Sequence, residues 1–361
     1  MTEFAIEAFD HVSFYVSNAK QASHFYRWAL GFQPVGYQGL ETGSRDKTSY
    51  VMKQNDITFV LTSPLDDTGP VGEHIKKHGD GVKDVAFRVD NAQAAWEVTM
   101  ERGAESAYDP YTLEDDNGKV TLSGIKAYGD TIHSFVQRHD YHGLFLPNTR
   151  NLDFGATEGF GLKYIDHVVG NQEENCMKSV VEWYEKIMGF HQFWSADDKD
   201  IMTEYSSLRS IVVSNENDTI KIPINEPAPG LRKSQIQEFI DYYKGPGVQH
   251  IAMFTDDIIA TLGELQSRGV EFLKVPRDYY EEVPGRVGEI DEDLDVLADL
   301  GILVDRDEQG YLLQIFTQPV QDRPTLFYEI IQRKGSQAFG KGNFKALFEA
   351  IERQQKMRGN L

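Results

Sequence analysis

Two stretches far apart in the chain are built alike. Residues 81–88 read GVKDVAFR and residues 247–254 read GVQHIAMF; the Gly-Val opening and the apolar pattern are kept, while Asp84 gives way to His250. A long-period repeat constrains the fold more than any local propensity, because a missed repeat miscalls the whole architecture. Two further echoes frame this one. FDHVSFYV around His11 returns as IDHVVGNQ around His167, and IHSFVQR at 132–138 is answered by FYEIIQR at 327–333. Between the echoes lie amphipathic helical stretches, with Gly31, Gly103, Gly189 and Gly269 as stop signals. The apolar stripes are expected to be Ala22, Phe25, Tyr26, Ala29 and Leu30 in the first half, and Val180, Trp183, Tyr184, Ile187 and Met188 in the second. The spacing predicts an α+β chain of four modules, each a strand, a helix and further strands (βαβββ), two modules per half. A linker rich in turn formers falls at residues 144–161. The expected domains are 1–150 and 151–361.

Composition limits the partners. The 361 residues are enough for two or three domains with their own cores. The 36 Lys and Arg against 57 Asp and Glu leave a formal charge of −21, which disfavours nucleic acid and anionic membranes. No apolar run approaches the roughly 18 residues needed to span a bilayer, and the acidic N-terminus is not a secretory signal. Cys176 is the only cysteine, so an internal disulfide and a multi-cysteine metal site are excluded. No catalytic signature surrounds it, and an ordinary helix-start residue is the simpler reading. A cytoplasmic protein is expected.

Aligning the halves pairs His11 with His167, Asp84 with His250, and Ser134 with Glu329. The second half thus holds His, His and a carboxylate where the first holds His, Asp and Ser. Two imidazoles and a carboxylate on one face of a metal form the facial triad of non-haem Fe(II) oxygenases, with positions left open for substrate and dioxygen; zinc accepts the same ligands. A lone strand histidine is more often a satisfied core residue, and His11 is expected to be one. Glu329 stands among apolar neighbours in TLFYEIIQR, where a carboxylate is costly to bury unless paired, protonated or metal-bound. Strand alternation places Phe327 on the face of Glu329, Phe316 on that of Gln314, and Pro223 on that of Asn225. The segment GKGNFKALFEAIERQQKMRG reads as a glycine hinge before a helix with Phe344, Leu347, Phe348 and Ile351 on one stripe. It is expected to lid a pocket; plain helical packing is the alternative.

At this point a resemblance enters. The DHVV strand, LRSIVVSN, IPINEPAPGLRKSQIQEFIDYYKGPGVQHIA, GILVDRDEQGYLLQIFTQPVQDRPTLFYEIIQR and AFGKGNFKALFEAIE resemble the 4-hydroxyphenylpyruvate dioxygenase family of the vicinal oxygen chelate superfamily, most specifically over residues 160–361. The resemblance implies two tandem glyoxalase-like domains, the first structural and without metal, the second an open barrel with one Fe(II) per chain held by His167, His250 and Glu329. It implies a substrate pocket drawn from Ser210, Pro223, Asn225, Gln235, Gln249, Gln314, Phe316, Phe327, Asn343, Phe344, Leu347 and Phe348. It further implies conversion of 4-hydroxyphenylpyruvate and O2 to homogentisate and CO2 in tyrosine and phenylalanine catabolism, by a homodimer or homotetramer. Three alternatives stand beside it: 4-hydroxymandelate synthase, a non-catalytic binding module, and a zinc-type lyase or isomerase of the same superfamily.

Overall fold

The computed structural model describes residues 4–66, 68–153, 155, 158–196 and 207–360. Within the expected linker, Phe154, Ala156 and Thr157 lie outside the described residues. The first half contributes strands β1 (Ile6–Tyr15), β2 (Gln33–Gln38), β3 (Lys47–Gln54), β4 (Ile57–Pro64), β5 (Gly81–Val89), β6 (Ser106–Asp115), β7 (Gly118–Lys126) and β8 (Ile132–Gln137), and the short β9 (Arg150–Asn151) adds to its edge on β2. The second contributes β10 (Leu162–Asn171), β11 (His191–Ala196), β12 (Ser207–Ser214), β13 (Lys221–Ala228), β14 (Gly247–Thr255), β15 (Leu303–Arg306), β16 (Tyr311–Phe316) and β17 (Phe327–Lys334).

The two sheets run β6-β7-β8-β5-β1-β4-β3-β2-β9 and β11-β12-β13-β10-β14-β17-β16-β15. In every module the last strand returns parallel to the first, as β4 does to β1, β8 to β5, β13 to β10 and β17 to β14. Two modules then join through antiparallel first strands, β1 with β5 and β10 with β14. The halves are therefore two copies of one glyoxalase-like layout, as the repeat predicts. The register supports the residue pairing: Phe327 lies opposite His250 as Ile132 lies opposite Asp84, so Glu329 and Ser134, each two residues on, occupy equivalent places.

The helix stripes are only partly as expected. In the helix Ala19–Trp28 the buried positions are Ala19, Ser23 and Tyr26, and Phe25 is 39% exposed. Tyr26, Ala29 and Leu30 are buried as expected and Ala22 packs partly buried on the core, but Ser23 takes the buried place expected for Phe25, its hydroxyl bonding back to the Lys20 carbonyl. The equivalent helix begins at Met177 and buries Met177, Val181 and Tyr184, then widens into a π-helical turn at Tyr184–Met188 that brings Ile187 and Met188 inward together.

One apolar core runs across both halves. At its centre the Tyr26 and Tyr328 hydroxyls meet at 2.5 Å, and Phe59 stacks on Tyr328. Tyr328 points into this core, so its neighbour Glu329 points to the opposite face of β17. Among the described residues no helix is long and apolar enough to cross a membrane.

His133 also bridges the halves: fully buried, it meets the Val85 carbonyl through Nδ1 at 2.9 Å and the Tyr184 hydroxyl through Nε2 at 2.7 Å. Burial, only partly offset by the Val85 carbonyl, pushes its pKa down from 6.5 to about 4. Between these values the unfolded chain binds a proton that the native protein does not, so stability is complete above pH 6.5 and is lost as pH falls toward 4. The expected loss is about 3 kcal/mol. Replacing His133 by Gln should lower stability at pH 7 but reduce the slope of stability against pH by about 1.4 kcal/mol per unit in that window, measured by denaturant unfolding.

Candidate metal centre and substrate cavity

His167, His250 and Glu329 come together on the concave side of the second sheet. Their donor atoms lie within 4.8 Å of one another, and they are the one such group of three among the described residues. Glu329 Oε2 is 3.2 Å from His167 Nε2 and 3.4 Å from His250 Nε2. Each side chain comes from a different central strand, β10, β14 and β17, so sheet register alone sets their convergence.

Hydrogen bonds behind the ring nitrogens fix the tautomers. His167 Nδ1 donates to Asp166 Oδ1 at 2.7 Å, and His250 Nδ1 donates to Gln249 Oε1 at 3.1 Å. A neutral imidazole that carries its proton on Nδ1 and donates it in a hydrogen bond keeps a lone pair on Nε2, which is the form a metal needs. Arg333 grips Asp166 through Nε and a terminal nitrogen, both at 2.7 Å. Burial alone would raise the Asp166 pKa, but this guanidinium and His167 hold it far below the ordinary carboxylate value. Burial likewise works against the Glu329 carboxylate and is outweighed by the two imidazoles, which depress its pKa. At His167 burial is outweighed by the neighbouring carboxylates and the pKa rises, whereas at His250 burial prevails and it falls. With a divalent cation in place of the proton between them, the charged carboxylate, 2% exposed, and the two Nε2 lone pairs form a donor set that fits such an ion.

A cavity opens beside this group. Seven of the eight strands reach it, which requires a sheet curled into an open barrel. Ser210 enters from β12, Pro223 and Asn225 from β13, Gln249 from β14, Gln314 and Phe316 from β16, and Phe327 from β17. Gln235 reaches in from the start of the helix Gln235–Tyr243, whose N-cap Ser234 accepts from the Gln237 amide. Phe344, Leu347 and Phe348 close the cavity from the C-terminal helix Phe344–Met357. Asn343 alone of the expected set does not line it; buried at the helix start, it donates to Gln314 Oε1 at 3.2 Å.

Consecutive residues of a regular strand point to opposite faces, yet Gln249 and His250 share this cavity. The register explains it. Val169 pairs with His250 and Gly170 with Val248, leaving Gln249 as the extra residue of a β-bulge. Sequence reasoning missed Val169, Trp194, Leu208, Val212 and Phe339, which also line the cavity. Phe339 meets the His167 ring edge-on at 5.1 Å and lies under the Arg333 guanidinium. It missed the Asp166–Arg333 pair as well, although a signal existed: the repeat keeps Asp-His at 10–11 and 166–167, and Gln-Arg at 137–138 and 332–333.

Comparison with known proteins agrees with this geometry. The family model for "Hydroxyphenylpyruvate dioxygenase, HPPD, N-terminal" matches residues 2–154, and that for the "Glyoxalase/Bleomycin resistance protein/Dioxygenase superfamily" matches residues 164–315. The chain is 52% identical to 4-hydroxyphenylpyruvate dioxygenase of Dictyostelium discoideum, over 99% of this chain and 100% of the relative. It is 52% identical to that of Xenopus tropicalis, over 98% and 93%. Among solved structures, a triple mutant of 4-hydroxymandelate synthase from Streptomyces coelicolor superposes with a TM-score of 0.87 at 32% identity, covering 97% of this chain and 99% of that one. With relatives this similar along their whole length, and with two histidines and a glutamate gathered at the cavity, the chain belongs to the 4-hydroxyphenylpyruvate dioxygenase family.

Proposed function

We propose that this protein is a non-haem Fe(II) dioxygenase that converts 4-hydroxyphenylpyruvate and O2 to homogentisate and CO2 in tyrosine and phenylalanine catabolism. The observation that carries the reading is the buried His167, His250 and Glu329 group opening onto a cavity walled by phenylalanines. These three residues would hold one Fe(II) per chain. Bound there, Fe(II) supplies charge for a chelating 2-keto acid and the redox capacity to use dioxygen.

The chain's own side chains do the remaining work. The Asp166 and Gln249 acceptors keep both imidazoles in the ligating tautomer. Phe316, Phe327, Phe344 and Phe348 enclose the substrate ring and exclude water, which limits side reactions of a strong oxidant. Ser210, Asn225, Gln235, Gln249 and Gln314 offer hydroxyl and amide groups to the keto acid and the phenol, while Pro223 and Leu347 complete the wall. Asn343 supports Gln314 from behind. The helix Phe344–Met357 acts as the lid.

In this reading residues 1–150 are a structural domain without metal, and residues 151–361 are the catalytic domain. The same reading places the enzyme in the cytoplasm as a homodimer or homotetramer; a lone cysteine suits a reducing compartment. Identity of about one half to the dioxygenases against 32% to the mandelate synthase structure favours the dioxygenase product.

Oxygen uptake by the iron-loaded protein with 4-hydroxyphenylpyruvate, coupled to product identification, tests the proposal. Homogentisate is expected; 4-hydroxymandelate, or no uptake, refutes it. Removing residues 338–361 should abolish turnover while leaving most of the far-ultraviolet dichroism, and full activity in that truncation would sink the lid assignment. Asp166→Asn keeps the shape but weakens the grip on His167, and should reduce metal affinity by about 10- to 100-fold in a direct titration.

A further inference from the structure

The fourth module carries something the other three lack. Elsewhere the module's helix leads directly to its next strand, but between the helix Ile258–Ser267 and β15 stand two more helices, Asp278–Val287 and Leu294–Leu300. The first of these brings Tyr279 and Arg286 to the base of the C-terminal helix. The Tyr279 hydroxyl accepts from the Val304 amide at 2.8 Å and has two acceptors in reach of its one proton, Asn343 Oδ1 at 2.7 Å and the Val304 carbonyl at 2.9 Å. Arg286 reaches Asp305 Oδ1 at 2.9 Å with one terminal nitrogen, and with the other the Val304 carbonyl at 2.9 Å, the Tyr279 hydroxyl at 3.0 Å and Asn343 Oδ1 at 3.4 Å. Asp305 in turn accepts from the Gly342 amide at 2.9 Å.

Donor and acceptor chemistry gives this chain a direction. Arginine can only donate and an ionised carboxylate can only accept. Asn343 must therefore present its oxygen to Arg286 and Tyr279, and its amide nitrogen to Gln314. Gln314 must then present its oxygen to Asn343 and its nitrogen to Glu329, where Nε2 lies 3.3 Å from Oε1. Glu329 is left with Oε2 for the two imidazoles.

We propose that the inserted helix is a positioning element, in which Arg286 and Tyr279 hold the lid base through Asn343 and fix how Gln314 meets Glu329. Its consequence for turnover rests on the dioxygenase reading; the clamp itself does not. Hydrogen exchange of the full chain without substrate reads the clamp. Arg286→Met should speed exchange of the amides of residues 340–348 by about 10-fold and leave β10 and β14 within about 2-fold of the parent protein, because the lost charged hydrogen bonds tether that segment to β15 and touch neither β10 nor β14. Tyr279→Phe, which removes only a hydroxyl, should act in the same direction with smaller amplitude.

In turnover, Arg286→Met should lower homogentisate formed per O2 consumed to about one half and raise the KM for the keto acid about 5-fold, since a loosened lid admits water and misplaces substrate. Arg286→Lys should recover part of that coupling, as an ammonium can reach Asp305 or Asn343 but has no planar fork to span both. Unchanged exchange at 340–348, or exchange that rises equally throughout the chain, overturns the proposal. So does an intact product ratio in Arg286→Met. A parent protein that takes up no oxygen would defeat the dioxygenase reading instead, and the exchange data would still judge the clamp.

Discussion

The second half is organised around one buried ion pair. Arg333 leaves the end of β17, passes β14 and grips Asp166 on β10, so the pair ties together the two strands that flank the one carrying His250. Asp166 then spends its remaining capacity on His167 Nδ1. Breaking such a pair by removing one partner typically costs about 3 to 5 kcal/mol, because a charge is left buried without its counter-ion. That cost bears directly on the site: His167 and Glu329 keep their distances to His250 only while these three strands hold their register.

The first half has the same device without the His, His and Glu group. Arg138 grips Asp10 with two bonds of 2.7 Å, and Asp10 accepts from His11 Nδ1 at 2.8 Å. The ion pair and its histidine are thus a feature of the glyoxalase-like half-barrel, present in both halves. What separates the halves is the pair of positions on the neighbouring strands. Ser134 donates its backbone amide and its hydroxyl to Asp84, and the Tyr108 hydroxyl bonds to Ser134 in turn. Burial pushes the Asp84 pKa up against these contacts. The acceptors are satisfied within the half, whereas in the second half two imidazole lone pairs and a carboxylate face one point.

The repeat made the strands, the module count and the three equivalent positions legible, because sheet register obeys a strict period of two and both halves obey it in the same way. Phe316 with Gln314, and Phe327 with Glu329, follow from the same alternation. The helices were less legible: Phe25 fits an apolar stripe by type, yet it is exposed and Ser23 is buried instead. Gln249 is in the cavity because of a bulge, and a bulge is a property of two paired strands that neither strand spells out alone. The inserted helices lie outside the repeat, so no echo announced them. Asn343 matched the family pattern by type but does its work one residue removed from the cavity, through Gln314.

The C-terminal helix divides two tasks between different kinds of contact. Leu347 and Phe348 are buried against the cavity and half-buried Phe344 closes beside them, an apolar attachment whose strength scales with area and which tolerates sliding. Orientation comes from the base. Gly340 holds φ at 72°, and a Cβ there would collide with the Gln314 amide; one at Gly342 would strike Arg286 and Asp305. Both glycines let the backbone approach until the Gly342 amide reaches Asp305 and Asn343 reaches Gln314. The apolar face therefore keeps the helix on the barrel, while the polar base decides where along the barrel it sits, and only the second kind of contact reaches, through Gln314, the Glu329 carboxylate.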